Sequence, residues 1–341
     1  MPTLRRPLIL LVVLLVLPGC STGEGGPSGS GSSRPSASGD TSPPIAASST
    51  SSTRPGSRDA GGLTYQANGA VHVLFPGADD IEVAPELSQD KQHPDWSPDG
   101  TTLAFDSNFL TLWTALPDGP ARQLFNCVDP CANVFDAAWS PDGQQVVFVR
   151  IVGDGVHTGA AQLVGRPPAN GTEQVIHQDA AGDVWLYEPR WSPDGARLLV
   201  EWDQFASTLL DEETVLRQEL HIIEVDTGDG SVVPGTRGAS AHDWSPLENL
   251  IVFERRGNLV TAHPDGTQRR ALTDFDTSLE SAIQPTFTPD GAGVVFTWVH
   301  GVPGSGTETT TAAIIKLSDH TVTDVGGSGG ATHPRLQPAT T

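Results

Sequence analysis

Short apolar runs separated by turn residues fill the chain from about residue 61 onward. Leu103-Ala104-Phe105, Val146-Val147-Phe148-Val149, Leu198-Leu199-Val200, Leu250-Ile251-Val252-Phe253 and Val294-Val295-Phe296 are too short for helices, and their β-branched and aromatic content predicts buried strands. A further strand and turn follow, clearest in Asn258-Leu259-Val260-Thr261-Ala262 and His263-Pro264-Asp265-Gly266, and then a last strand in Arg269-Arg270-Ala271-Leu272-Thr273. The repeating unit is thus a meander of four antiparallel strands.

A motif marks each unit. Trp96-Ser97-Pro98-Asp99-Gly100 recurs as Trp139-Ser140-Pro141-Asp142-Gly143 and Trp191-Ser192-Pro193-Asp194-Gly195, with variants at Trp244-Ser245-Pro246-Leu247-Glu248 and Phe287-Thr288-Pro289-Asp290-Gly291 and a remnant at Leu336-Gln337-Pro338. The leading residues are spaced by 43, 52, 53, 43 and 49 positions, the period of a propeller blade. Pro fixes φ and Gly takes a conformation costly for other residues, so each copy closes a tight turn. Residues 62 to 85 supply three strands with no motif ahead of them, and His333 to Pro338 supply a starting strand with no blade behind it. Joined, they make a sixth blade that leaves no open sheet edge.

These motifs resemble the TolB-type repeat, a WD-like family whose blades begin Pro-x-Trp-Ser-Pro-Asp-Gly; Pro94 to Gly100 and Pro189 to Gly195 match it fully. The resemblance covers residues 61 to 341 and implies an all-β fold: a six-bladed β-propeller with N- and C-terminal strands closing one shared blade. It also implies a protein segment docking over the channel mouth, as in TolB, although propellers serve many activities.

The first twenty residues read differently. Arg5-Arg6 precede the apolar run Leu8 to Leu17, which breaks at Pro18-Gly19-Cys20, the pattern of an export signal and too short for a membrane span. Leu17-Pro18-Gly19-Cys20 resembles a lipobox, which implies cleavage before Cys20 and its diacylation. Residues 21 to 60 are Ser, Thr, Gly, Pro and Ala with few exceptions, a composition that cannot offset the entropy of ordering. The expected organisation is a signal peptide over 1–19, a lipid-anchored linker over 20–60 and a propeller over 61–341. With Cys20 acylated, Cys127 and Cys131 remain as an even pair in an oxidising compartment and predict a short-loop disulfide.

Composition narrows the partners. Of 341 residues, 41 are Asp or Glu and 19 Lys or Arg, a net charge of −22 that excludes nucleic acid. The acids of the repeated turns, Asp99, Asp142, Asp194 and Asp290, are turn formers rather than ligands. Binding chemistry belongs instead at aligned positions that vary, and three residues before each motif's leading residue stand His93, Asp136, Glu188, Ala241, Gln284 and His333. On innermost strands these form a ring at one channel mouth, with His242 one place out of register. Polar residues line a wet channel for structural reasons alone, so no metal or cofactor is assigned. Gly326 to Gly330 fits Gly-x-Ser-x-Gly but lacks a preceding strand and following helix, and the acidic Asp211-Glu212-Glu213 reads as a solvated loop. The expectation is a monomeric, non-catalytic scaffold anchored outside the cytoplasm that binds a cell-envelope protein. The alternative is a small-ligand or metal-binding sensor or enzyme using the same ring.

Overall fold

The computed structural model describes residues 61–153, 159–169, 171–206, 214–301, 306–326 and 330–339. The expected signal peptide, Cys20, the linker, residues 211–213 and residues 327–329 of the glycine run lie outside the described residues. Among the described residues the structure is all strand and turn, in six four-stranded antiparallel sheets.

Each sheet is one blade, and each innermost strand ends on the motif's leading residue. These strands are Lys91–Trp96, Cys131–Trp139, Val184–Trp191, Ser240–Trp244, Glu280–Phe287 and Thr332–Leu336, belonging to blades 1 to 6. They adjoin one another all the way round, the last returning to the first, and so line a central channel. Blade 6 orders its strands Thr332–Leu336, Leu63–Ala67, Ala70–Leu74, Asp80–Glu82, with Leu63 opposite Leu336 and Thr64 opposite Arg335. The two ends of the chain therefore close the ring, as the repeat count requires.

The turn chemistry works as the motif predicts. In blade 1 the Asp99 carboxylate accepts hydrogen bonds from the Ser97 hydroxyl at 2.5 Å and the Thr101 N–H at 3.0 Å, while Gly100 takes φ +68°. Ser140 with Asp142, Ser192 with Asp194 and Thr288 with Asp290 repeat the bond at 2.6, 2.5 and 2.5 Å. In each the hydroxyl bond holds the aspartate below its ordinary pKa.

The core is divided among the blade interfaces. Six apolar clusters form, each drawn from two adjacent blades: Ile151 and Leu163 of blade 2 pack with Leu186 and Val200 of blade 3, and Val71 and Val73 of blade 6 with Leu103 and Phe105 of blade 1. Aligned positions of the second strands supply the largest buried groups, Phe105, Phe148, Phe253 and Phe296, with Tyr65 in blade 6. Each such ring contributes about 1.5–3 kcal/mol by leaving water, so the face-to-face stacking of blades is the main source of stability.

The blades are not equal in height. The second strands of blades 2, 3 and 5 run Val146–Gly153, Arg197–Phe205 and Gly293–His300, against five residues each in blades 1, 4 and 6. The extra residues lie toward the end of the channel where the innermost strands begin. Three additional residues extend a strand by about 10 Å, so that end has a raised wall on three sides.

Candidate functional site

The ring of varying residues shares one backbone state. His93, Asp136, Glu188, Ala241, Gln284 and His333 all have positive φ, at 51, 55, 49, 36, 54 and 51°. Each sits where the pairing of its innermost strand slips, between Gln92 and Asp95 in blade 1 and between Phe135 and Ala138 in blade 2, for example. Left-handed geometry costs a residue with a Cβ about 1–2 kcal/mol. Six such residues at one level are held by what surrounds them.

Hydrogen bonds from blade to blade do the holding. The N–H of Asp136 donates to Asp106 Oδ1 (3.2 Å), that of Glu188 to Asp136 Oδ2 (2.8 Å), that of Ala241 to Glu201 Oε2 (3.0 Å), and that of His333 to Gln284 Oε1 (3.0 Å). In each case the acceptor belongs to the preceding blade. Thr297 steadies Gln284 at 2.9 Å, and Gln284 Nε2 donates to His333 Nε2 at 2.9 Å.

A second layer lies two residues further along the same strands. Asp95, Arg190, Asp243 and Arg335 stand one residue before the motif's leading position, on the face that the ring residues share. Arg335 Nη1 is 3.0 Å from Asp95 Oδ1, and Asp95 Oδ2 accepts the Trp139 N–H at 2.8 Å. Asp243 accepts the Phe287 N–H at 2.7 Å and faces Arg190 at 3.8 Å. Burial raises the pKa of Asp243 against the pull of Arg335 and Arg190. This layer is balanced in charge; the first layer is not.

The charge of the first layer gathers on one side. His93 Nδ1 lies 2.7 Å from Asp106 Oδ1 and 3.2 Å from Asp136 Oδ1. Burial opposes the imidazolium, yet Asp136 and Asp106 raise the His93 pKa to about 9. Burial raises the Asp136 pKa, with His93 acting against the shift and Glu188 and Asp106 adding to it. His93, Glu188, Gln284 and His333 are half-buried and reach the channel, whereas Asp136 is only 3% exposed and Ala241 5%. Asp136 is therefore an inner support rather than an open mouth residue. His242 does not join the ring: it is 1% exposed, meets the Leu199 carbonyl oxygen through Nε2 at 3.1 Å, and burial pushes its pKa down to about 4.

At the same end an aromatic cluster packs between blades 2 and 3, reached by Phe109 of blade 1. Phe109 meets His93 at a tilt and Phe135 edge-on, and Phe135 lies against Trp185 and Tyr187 at 6.2 and 5.8 Å between ring centroids. Cys127 and Cys131 are joined by a disulfide with Cα atoms 5.2 Å apart. It closes the loop that carries the chain from the outer strand of blade 1, Arg122–Asn126, to the inner strand of blade 2 at this same end. Leu110, Val128, Val215, Leu216 and Leu279, all 45–64% exposed, fall by strand direction on this end too, against Leu116, Val175 and Leu247 on the opposite end. A groove of about 650 Å³ lies apart from the channel, along the outer strands between blades 1 and 2.

Sequence alignment of the blades placed the ring, but not Asp106 or Glu201. These come from second strands, at a position filled elsewhere by Val149, Glu254, Thr297 and Gln66. The same alignment shifted by two residues would have found Asp95, Arg190, Asp243 and Arg335.

No protein-family model matches the sequence, and no curated protein matches it either. Solved structures share the fold. A TolB of Agrobacterium tumefaciens superposes with a TM-score of 0.56 at 18% identity, over 80% of this chain and 91% of that one. TolB from Acinetobacter baumannii does so with 0.58 at 15%, over 81% of this chain and 66% of that one. An oligogalacturonate lyase in complex with manganese gives 0.51 at 16%, over 77% and 71%. The fold is the six-bladed β-propeller of TolB type, and at these identities the likeness is one of fold alone.

Proposed function

We propose that this chain is an exported, lipid-anchored, non-catalytic propeller that docks a segment of a cell-envelope protein over the walled end of its channel. The observation that carries this reading is the makeup of that end, which bears the half-buried Trp185 and Tyr187 and the exposed Leu and Val side chains together with the polar ring. Apolar rims around fixed polar groups suit protein recognition, where buried aromatics supply contact area and polar groups set orientation. Because six equivalent backbone positions carry six different environments, a docked segment has one orientation. The blade-to-blade hydrogen bonds fix those groups before binding, which lowers the ordering cost of association. The TolB-type fold agrees with a docking role, and the net charge of −22 turns nucleic acid away.

Location follows from the leader. A basic start, an apolar run and Cys20 direct export, cleavage and diacylation, and two acyl chains suffice for stable anchoring. The linker over 20–60 then joins the anchor to the propeller. Cys20→Ala should release the protein from the membrane fraction.

The docking test uses photo-crosslinking residues at positions 284 and 333 in the native host, with position 232 on an outer strand as control. One envelope protein captured from the two channel positions, and lost when Trp185 and Tyr187 become Ala, is the expected result. Equal capture from position 232, or none above background, overturns docking. The second reading, a metal- or ligand-binding channel, is favoured by one cluster of side chains at blades 1 and 2.

A further inference from the structure

The channel's charged side holds an arrangement that one proton leaves incomplete. His93 Nδ1 carries a single hydrogen, and at 2.7 Å it is committed to Asp106 Oδ1. Asp136 Oδ1 stands 3.2 Å from the same nitrogen without a hydrogen bond of its own, and Asp106 Oδ2 also has none. Both carboxylates are buried, Asp106 wholly and Asp136 to all but 3%. A buried carboxylate oxygen lacking a donor is costly, so two of them beside one imidazole call for a further positive group.

We propose that His93, Asp106 and Asp136 bind one first-row divalent ion, Mn2+ or Zn2+, inside the channel. One donor from each residue can be chosen so that all lie within 4.8 Å of one another. Ligands at about 2.1 Å from an ion stand about 3.0 Å apart at neighbouring octahedral sites and about 3.4 Å apart in a tetrahedron. The separations of 2.7 and 3.2 Å from His93 are already close to these spans. A divalent ion with two carboxylates and a neutral imidazole sums to zero charge, whereas the protonated triad keeps a net negative charge. The imidazole suits Zn2+ and the two carboxylates suit Mn2+, whereas Mg2+ and Ca2+ favour all-oxygen sites.

The surrounding shell is already built. The Glu188 N–H holds Asp136 Oδ2 at 2.8 Å, leaving Oδ1 turned to His93, and the Asp136 N–H holds Asp106 Oδ1. Such outer bonds orient ligands before the ion arrives. His333, whose ring meets His93 edge-on at 5.2 Å between centroids, stands beside the open side of the site. This inference is independent of docking, because its ligands are side chains of blades 1 and 2, two of them buried, and not the exposed apolar residues of that end.

The test is titration of the chelator-stripped full chain with Mn2+ and with Zn2+ by calorimetry. One ion per chain is expected, with affinity lowered about ten-fold or more in each of His93→Gln, Asp106→Asn and Asp136→Asn, and unchanged in His320→Gln. Asp106→Asn keeps an oxygen for the His93 N–H, which preserves the fold. A measurement on the unaltered protein covers any variant that fails to fold: traces of Mn2+ should broaden the NMR signals of His93 and His333 before those of His263 and His320. Binding weaker than about 1 mM, equal binding in the three variants, or uniform broadening of all histidines each overturns the proposal.

Discussion

The two ends of each innermost strand follow opposite rules. At its C-terminal end the Ser-Pro-Asp-Gly turn repeats the same side chains in the same roles, with hydroxyl to carboxylate distances of 2.5–2.6 Å in four blades. A few residues earlier, the ring repeats a backbone state, φ +36 to +55°, while every blade but two places a different residue there. Repetition of side chains builds the scaffold, and repetition of backbone with varied side chains builds an asymmetric surface on it. Chemistry is to be sought in the second region.

Breaking the scaffold has the largest effect. Deleting residues 331–341 removes the inner strand of blade 6 and, with it, the neighbours of blades 5 and 1. The cooperative melting transition should be lost, and an unchanged Tm would contradict closure by the chain ends. Next comes His242, the histidine that stands beside the ring without belonging to it. Its folded pKa of about 4 lies below the ordinary 6.5, so between those values the unfolded chain takes up the proton. The stability it contributes is complete above pH 6.5 and is lost as pH falls toward 4, by up to about 3 kcal/mol. Denaturant melts of His242→Gln should lack that part of the acid slope; an identical slope refutes the assignment.

Smaller effects sharpen the contrast between repetition and variation. Asp142→Ala and Asp290→Ala should each cost about 1 kcal/mol, held to that size by solvent exposure, and the two costs should agree because the turns are equivalent and neither aspartate has a cationic partner. Unequal costs in urea melts would deny that equivalence. Ala241→Gly tests the ring backbone directly. Relief of the left-handed strain should outweigh the entropy of Gly and raise stability by up to about 1 kcal/mol, and a loss of stability would mean the site carries no strain.

Much of the fold was legible because its instructions are local. Pro98-Asp99-Gly100 and its copies specify turns whatever surrounds them, and the count of strands left over at 62–85 and 333–338 required closure. The site was legible only in outline. Alignment found His93 and Asp136, but their meeting with Asp106 depends on a slipped register in two blades and on a second strand whose aligned residues share no chemistry. The left-handed state of the ring was hidden, because His, Asp, Glu and Gln do not advertise positive φ as Gly does. The raised walls came from strand lengths that the spacings of 52 and 53 residues hinted at for blades 2 and 3, with no indication of direction.

Gln337 shows how closure bears on the making of the protein. Its backbone N–H donates to the Gly62 carbonyl, its Oε1 accepts the Gly62 N–H at 3.1 Å, and its Nε2 donates to the Gly100 carbonyl at 2.6 Å. One residue near the end of the chain thus clasps strands made at the beginning. During vectorial synthesis the early strands of blade 6 must wait, unpaired on one side, until some 270 further residues have been added. At about 5–20 residues per second that wait lasts tens of seconds, during which one edge of the early strands stays exposed. A chain that closes last is also one that stays threadable until its final residues arrive.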